Sequence, residues 1–244
     1  MISAGRLIEQ LRARLLVARV GDDAEGVHQV RVAARRLDAW LVLGNRRMLR
    51  DDLRWLRATV SRARDLDVLI GGEVPGWLLS QDLLVWLQLR RAEEQPKIVA
   101  ALESERSGAL LDALSLLPDI DQDTARRSIS PIVRQVLDRA AQLRANDDPD
   151  DDDLHGLRRA VRRLRFALEW MGEKSSALAE LQQIFGEFNN RVLLLRWLDA
   201  FPEQSVTEEP RARLGAELCE QRATVVRTWQ GVQDRVQEVC LEWT

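Results

Sequence analysis

The chain has 244 residues, of which 36 are Lys or Arg and 39 are Asp or Glu, for a formal net charge of −3. With 31% charged and 45% hydrophobic residues, it is too apolar for a disordered chain. It holds no run near the ~20 apolar residues of a membrane helix, and its acidic total argues against a generally basic nucleic-acid binder. Lys97 and Lys174 are the only lysines, so 34 of the 36 cations are arginine, the side chain that grips phosphate with a two-pronged fork.

Nearly every segment reads as helix, with Gly and Pro between the periodic stretches. Ser3 is expected to cap a first helix to about Arg19, and Asp23 a second ending near Gly44. A third is predicted over Leu49–Leu69, before Gly71-Gly72 and Pro75-Gly76 break the chain. Ser80 opens a segment to Glu94, and Pro96 begins another to Leu117. Asp121 or Asp123 caps a helix to about Arg144 that Pro131 is able to kink. The run from Asn146 to Asp153 reads as an acidic linker. Helices near Leu154–Gly172, Ser176–Phe201 and Glu208–Trp243 complete the chain, and no strand pattern appears. Cys219 and Cys240 fall on the last helix, about 31 Å apart at its rise per residue, too far to bond. Two cysteines too far apart to bond each other and the lack of a secretory h-region in Met1–Leu16 fit a cytoplasmic protein. Trp40, Trp55, Trp86, Trp170, Trp197 and Trp229 lie among Leu and Val at helical spacing and read as core.

A repeat carries the chemistry. Both histidines, His28 and His155, are followed by Arg at +3, +7 and +8: Arg31, Arg35 and Arg36, then Arg158, Arg162 and Arg163. The offset of 127 residues between two such segments reads as a duplication. At about 100° per residue the arginines lie near −60°, −20° and +80° from each histidine, with Arg165 near −80°. The far side is apolar in both copies: Val30, Ala33, Leu37 and Leu41, then Leu157, Ala160, Leu164 and Leu168. Each helix thus buries one stripe and turns a His–Arg stripe away from it. Arg46, Arg47, Arg50, Arg54 and Arg57 extend the positive surface; from His28 to Arg64 there are 10 Arg against 3 Asp. Stacked like charges cost a helix a few tenths of a kcal/mol per pair. Two readings follow: an anionic ligand neutralises the stripe, or acids such as Asp38, Asp51, Asp52, Asp65 and the linker pair with it. Without a Gly-rich phosphate loop, a linear polyanion fits such arrays better than one nucleotide. No cofactor or metal is expected: neither histidine has an evident nucleophile partner, Glu169 reads as a salt partner of Arg162 or Arg165, and Asp65 and Asp67 read as ion-pairing acids.

These segments resemble the hallmarks of the CHAD domain, the conserved histidine α-helical domain. Arg64-Asp65-Leu66-Asp67 resembles the family's Arg-Asp element, and Gly186–Asn190 its second-half counterpart. The resemblance implies one domain over 1–244 with an all-α fold: two four-helix bundles, about 1–117 and 118–244, related by pseudo-two-fold symmetry around a central basic pore. It implies inorganic polyphosphate as ligand, held by His28, Arg31, Arg35, Arg36, Arg54, Arg64, His155, Arg158, Arg162, Arg163 and Arg165, to which the charge pattern adds Arg57. Asp38 where the other copy has Arg165, Asn190 where the family has Asp, and the acidic total depart from the pattern. The expectation is a non-enzymatic polyphosphate binder, monomer or homodimer, of the cytoplasm or polyphosphate granules, without membrane contact. The alternatives are a single-stranded nucleic-acid binder and a metal-dependent phosphohydrolase.

Overall fold

Helix caps and turn chemistry set the element boundaries in the computed structural model, which describes residues 1–21, 23–146, 149–201 and 208–243. Among the described residues the chain forms ten α-helices: α1 Gly5–Val20, α2 Ala24–Leu43, α3 Arg50–Thr59, α4 Ser61–Val68, α5 Gln81–Leu102, α6 Glu105–Ser115, α7 Gln122–Ala145, α8 Asp151–Trp170, α9 Ser176–Ala200 and α10 Glu208–Leu241. Among these residues the one extended contact is an isolated antiparallel bridge between Ile2 and Ile120. The fold is all-α, as the periodicity predicts. Asp23, Ser80 and Asp121 are caps, accepting from the backbone N–H groups of Glu25, Leu83 and Thr124. Ser3 Oγ accepts from Gly5 N at 3.4 Å, one residue outside the cap position of α1.

Three boundaries differ from the sequence reading. The helix expected over Leu49–Leu69 is broken at Val60 into α3 and α4 and then unwinds into a wider π turn, Leu69–Glu73. At the break, Thr59 Oγ1 donates to Trp55 O and Ser61 Oγ to Arg57 O. Hydroxyls bonding back four residues bend helices. Conversely, α5 runs straight through Pro96, and the break falls at Ser104. There Ser104 Oγ and Ser107 Oγ both donate to Ala101 O, at 2.6 and 2.8 Å. The acidic run is only partly a linker. Asp150 caps α8, and Asp151, Asp152 and Asp153 form its first turn, where the helix dipole favours acids. Asp147 and Asp148 lie outside the described residues.

Packing follows the stripes. In the second half α7 packs on α8, α8 on α9, α9 on α10 and α10 on α7; in the first, α2 packs on α1, α3 and α4, and α5 on α1, α3 and α4. The halves meet where α2 crosses α8 and α7. The predicted apolar stripes of α2 and α8 are all buried in one core that spans both halves. Trp40 and Trp170 meet across the crossing at 6.5 Å, and Trp170 Nε1 donates to Arg36 O at 2.7 Å. A second cluster joins α4 and α5 to α9 and α10, with Trp86 edge-on to Trp197 and Phe201. The tryptophans read as core are thus used in packing. Cys219 and Cys240 are unbonded to each other; burial pushes the Cys240 thiol up to about 11. No helix among the described residues is long and apolar enough to cross a membrane.

Candidate functional site

Because α2 and α8 both bury their apolar stripes at one crossing, their arginines converge. Arg31 and Arg35 come from α2, Arg158 and Arg162 from α8, and Arg57 from α3. Arg31 Nη1 is held by Ser61 O at 3.1 Å and Asp65 Oδ1 at 2.9 Å. Arg158 Nη1 donates to Asn189 Oδ1 at 2.5 Å. Arg35 and Arg162 have no acid and no hydrogen-bond partner among the described residues, and Arg35 Nε is buried unpaired.

The electrostatics are those of crowded like charges. Burial first, then Arg162, Arg31, Arg57 and Arg158, push Arg35 down to about 8. Arg162 is brought to about 9 by burial and by Arg158, Arg57 and Arg31. Burial and Arg31 lower Arg158 to about 10, against Asp65. All three stay cationic at pH 7, so the folded chain holds unneutralised charge at its own centre. Both histidines lie below their ordinary 6.5 through burial, reinforced chiefly by Arg64 for His28 and by Arg159 for His155. They are neutral at pH 7 in the free protein.

Two clefts open on the cluster. The larger, about 380 Å³, is lined by His28, Arg31, Arg35, Arg64, Arg158 and Asn190, together with acids of α4 and the π turn. The smaller, about 170 Å³, is lined by His155, Arg158, Arg196, Asp151 and Asp152. They share Arg158 and Asn189, so the basic surface is continuous from one histidine to the other.

The remaining arginines of the sequence reading are placed elsewhere. Arg36 lies 3.7 Å from Glu169, and Arg165 Nε bonds the same carboxylate at 2.8 Å; both line a separate cavity of about 410 Å³. Arg163 donates to Gln135 at 2.6 Å and feels Asp38 of the other hallmark helix. Arg54 is exposed and paired with Asp51 at 2.6 Å. The +3 and +7 arginines therefore form the cluster, and the +8 arginines face acids of the opposite helix. Asp38 does not interrupt the cluster, since Arg50 Nε holds it at 2.7 Å. Sequence reasoning missed Arg196. It lies seven residues after Asn189, two turns along the same face of α9, which is the signal that finds it.

Among the described residues, the crossing of α2 and α8 in this all-α protein thus gathers half-buried arginines, two of which, Arg35 and Arg162, have no acid partner. The chain belongs to the CHAD domain family, which it matches over residues 3–199. Its fold is similar to the crystal structure of the CHAD domain from the plant Ricinus communis, with a TM-score of 0.72 and 27% identity, over 94% of this chain and 88% of that one. PptA from Streptomyces chartreusis is similar in fold, with a TM-score of 0.64 and 20% identity, over 96% and 97% of the two chains. No curated protein matches the sequence.

Proposed function

We propose that this protein binds inorganic polyphosphate without turning it over. The observation that carries the reading is that Arg35 and Arg162 sit half-buried and, among the described residues, unpaired, one from each repeat, beside Arg31, Arg57 and Arg158. A chain of phosphates supplies repeated bidentate partners along such a cluster. We read the two clefts as mouths of a pore between two pseudo-symmetric four-helix bundles, narrow enough to favour a thin flexible polyanion over a duplex. The reading is non-catalytic because two of the three acids of the larger cleft are ion-paired, Asp65 to Arg31 and Asp67 to Arg91. Its setting is the cytoplasm, with polyphosphate granules as the natural partner of a monomer or homodimer.

Titrating the protein with end-labelled polyphosphate and with single-stranded DNA of matched charge tests this. Polyphosphate should bind tighter, with log K falling against log salt with a slope of roughly −3 to −4 for five neutralised phosphates. Preference for DNA, or release of orthophosphate during the titration, would overturn the reading.

The histidines predict the pH response. Their depressed values mean that the free protein resists protonation, so its stability is lost as pH falls from the unfolded value of 6.5 through the lowered folded ones. Phosphate oxygens reverse the local field and raise those values. Binding should then take up protons and tighten as pH falls from 7 to 6, a range in which Arg35 is already cationic, severalfold per histidine. The double variant His28→Gln, His155→Gln should show a flat profile in the same titration.

A further inference from the structure

The larger cleft is not uniformly basic. Asp65, Asp67 and Glu73 line it together with the arginines. In a phosphate cleft each carboxylate repels the ligand, unless something neutralises it. Asp65 is neutralised by Arg31. Asp67 is only half provided for. Its Oδ1 accepts from Arg91 Nε at 2.6 Å, while Oδ2 is buried with no hydrogen-bond partner, on a side chain only 7% exposed. Burial pushes this carboxyl up despite Arg91. Glu73 is exposed at the end of the π turn, and its backbone carbonyl accepts from Arg191 Nη1 at 2.9 Å. Such turns recur at functional sites. Asn190 contributes a neutral amide to the same wall.

Among the described residues no three His, Cys, Asp or Glu side chains converge to hold a metal ion. The protein alone does not complete a coordination shell, and for Mg²⁺ it need not. This ion keeps several waters and is commonly held by one or two carboxylates plus the phosphates of its ligand. We propose that the acidic edge of the cleft receives a divalent cation, Mg²⁺, carried in with the phosphate chain. Asp67 and Glu73 supply oxygens from the protein side, and phosphate oxygens and water complete the shell. The carboxylates that would repel a bare phosphate become a bridge to it. The inference rests on the polyphosphate reading and adds that the preferred ligand is its Mg²⁺ complex.

The test is fluorescence anisotropy of end-labelled polyphosphate against the full chain, with 0 or about 1 mM Mg²⁺ at constant ionic strength. Mg²⁺ in free solution neutralises polyphosphate, so without a cation site it must weaken binding, and equally in every variant. The expected result is the opposite: a tightening of about tenfold in the wild type, the scale of one added charge-assisted contact. Asp67→Asn and Glu73→Gln should each lose most of that tightening. Glu73→Gln touches an exposed residue and leaves the Asp67–Arg91 pair intact, so it decides the matter even where Asp67→Asn fails to fold. Weakening by Mg²⁺ in the wild type, or tightening retained in full by Glu73→Gln, overturns the inference. No polyphosphate binding with or without Mg²⁺ overturns the underlying reading instead.

Discussion

Replacing Arg35 and Arg162 together with methionine is expected to weaken polyphosphate binding by at least a hundredfold while raising the melting temperature. The two effects have one cause. Each guanidinium is half-buried near the other and near Arg31, Arg57 and Arg158, with no acid among the described residues to offset it. A charge-assisted contact to ligand is worth roughly 1.5–3 kcal/mol, so losing two removes about 10² to 10⁴ in affinity. In the free protein the same charges are a liability. Replacing buried charges by apolar side chains of similar volume is neutral or stabilising by about 1–4 kcal/mol. For a chain of this size the stabilising end of that range is roughly 2–16 °C in Tm. Thermal denaturation and anisotropy on one preparation read both effects. A fall in Tm with retained binding would mean that these arginines serve the fold and not a ligand. Saturating polyphosphate should raise the wild-type Tm and leave the double variant unmoved.

Gly26→Ala is expected to cost about 1–3 kcal/mol, a drop of several degrees in Tm. Helix propensity predicts the reverse sign, a gain of about 1 kcal/mol for Ala over Gly inside a helix. Space decides. A Cβ at Gly26 would lie 2.8 Å from Val17 Cγ1 and 2.9 Å from the backbone nitrogen of Ala18. A side-chain methyl can rotate away, but the α1 backbone cannot yield without moving the helix. Since His28 follows two residues later on α2, the same shift should weaken polyphosphate binding. Gly108→Ala is the contrasting case: nothing lies within 4 Å of its Cβ position on α6, and propensity alone should raise Tm slightly. Differential scanning calorimetry of the two variants separates the effects, and equal shifts would remove the close α1–α2 approach as the cause.

The legible part of this molecule is whatever the 3.6-residue period controls. Val30, Ala33, Leu37 and Leu41 are buried, as their spacing requires, and so are Leu157, Ala160, Leu164 and Leu168. That alone turns His28, Arg31 and Arg35 toward His155, Arg158 and Arg162. Caps at Asp23, Ser80 and Asp121 were readable because the capping side chain stands next to the donor it satisfies. Pairings across the fold were not. Arg36 meets Glu169 across 133 residues, and nothing local distinguishes it from Arg35, its neighbour in sequence, which meets no acid among the described residues. Glu169 was legible as a salt partner, yet its second cation comes from α2 and not from Arg162. The helix breaks misled for a related reason. Pro96 is a strong local signal overridden by the burial of Leu87, Ile98 and Leu102 on one continuous α5. The break at Val60 depends on two hydroxyls, Thr59 and Ser61, whose choice of acceptor is made only in the folded chain.

The crossing of α2 and α8 also bears on how such a site arises. The cluster is contributed about equally by the two repeats, Arg31 and Arg35 from one, Arg158 and Arg162 from the other. Neither repeat holds it alone. A single ancestral unit carrying one His–Arg helix would have assembled this site only by pairing with a second copy of itself, at a face where its own charges repelled. The anion would then have been the adhesive of that pair. Fusion into one chain would remove the need for adhesive, because the tether and the core shared by the two halves hold the seam closed without it. On the proposed reading, a seam freed from holding the halves together can take up and release its ligand without the halves coming apart.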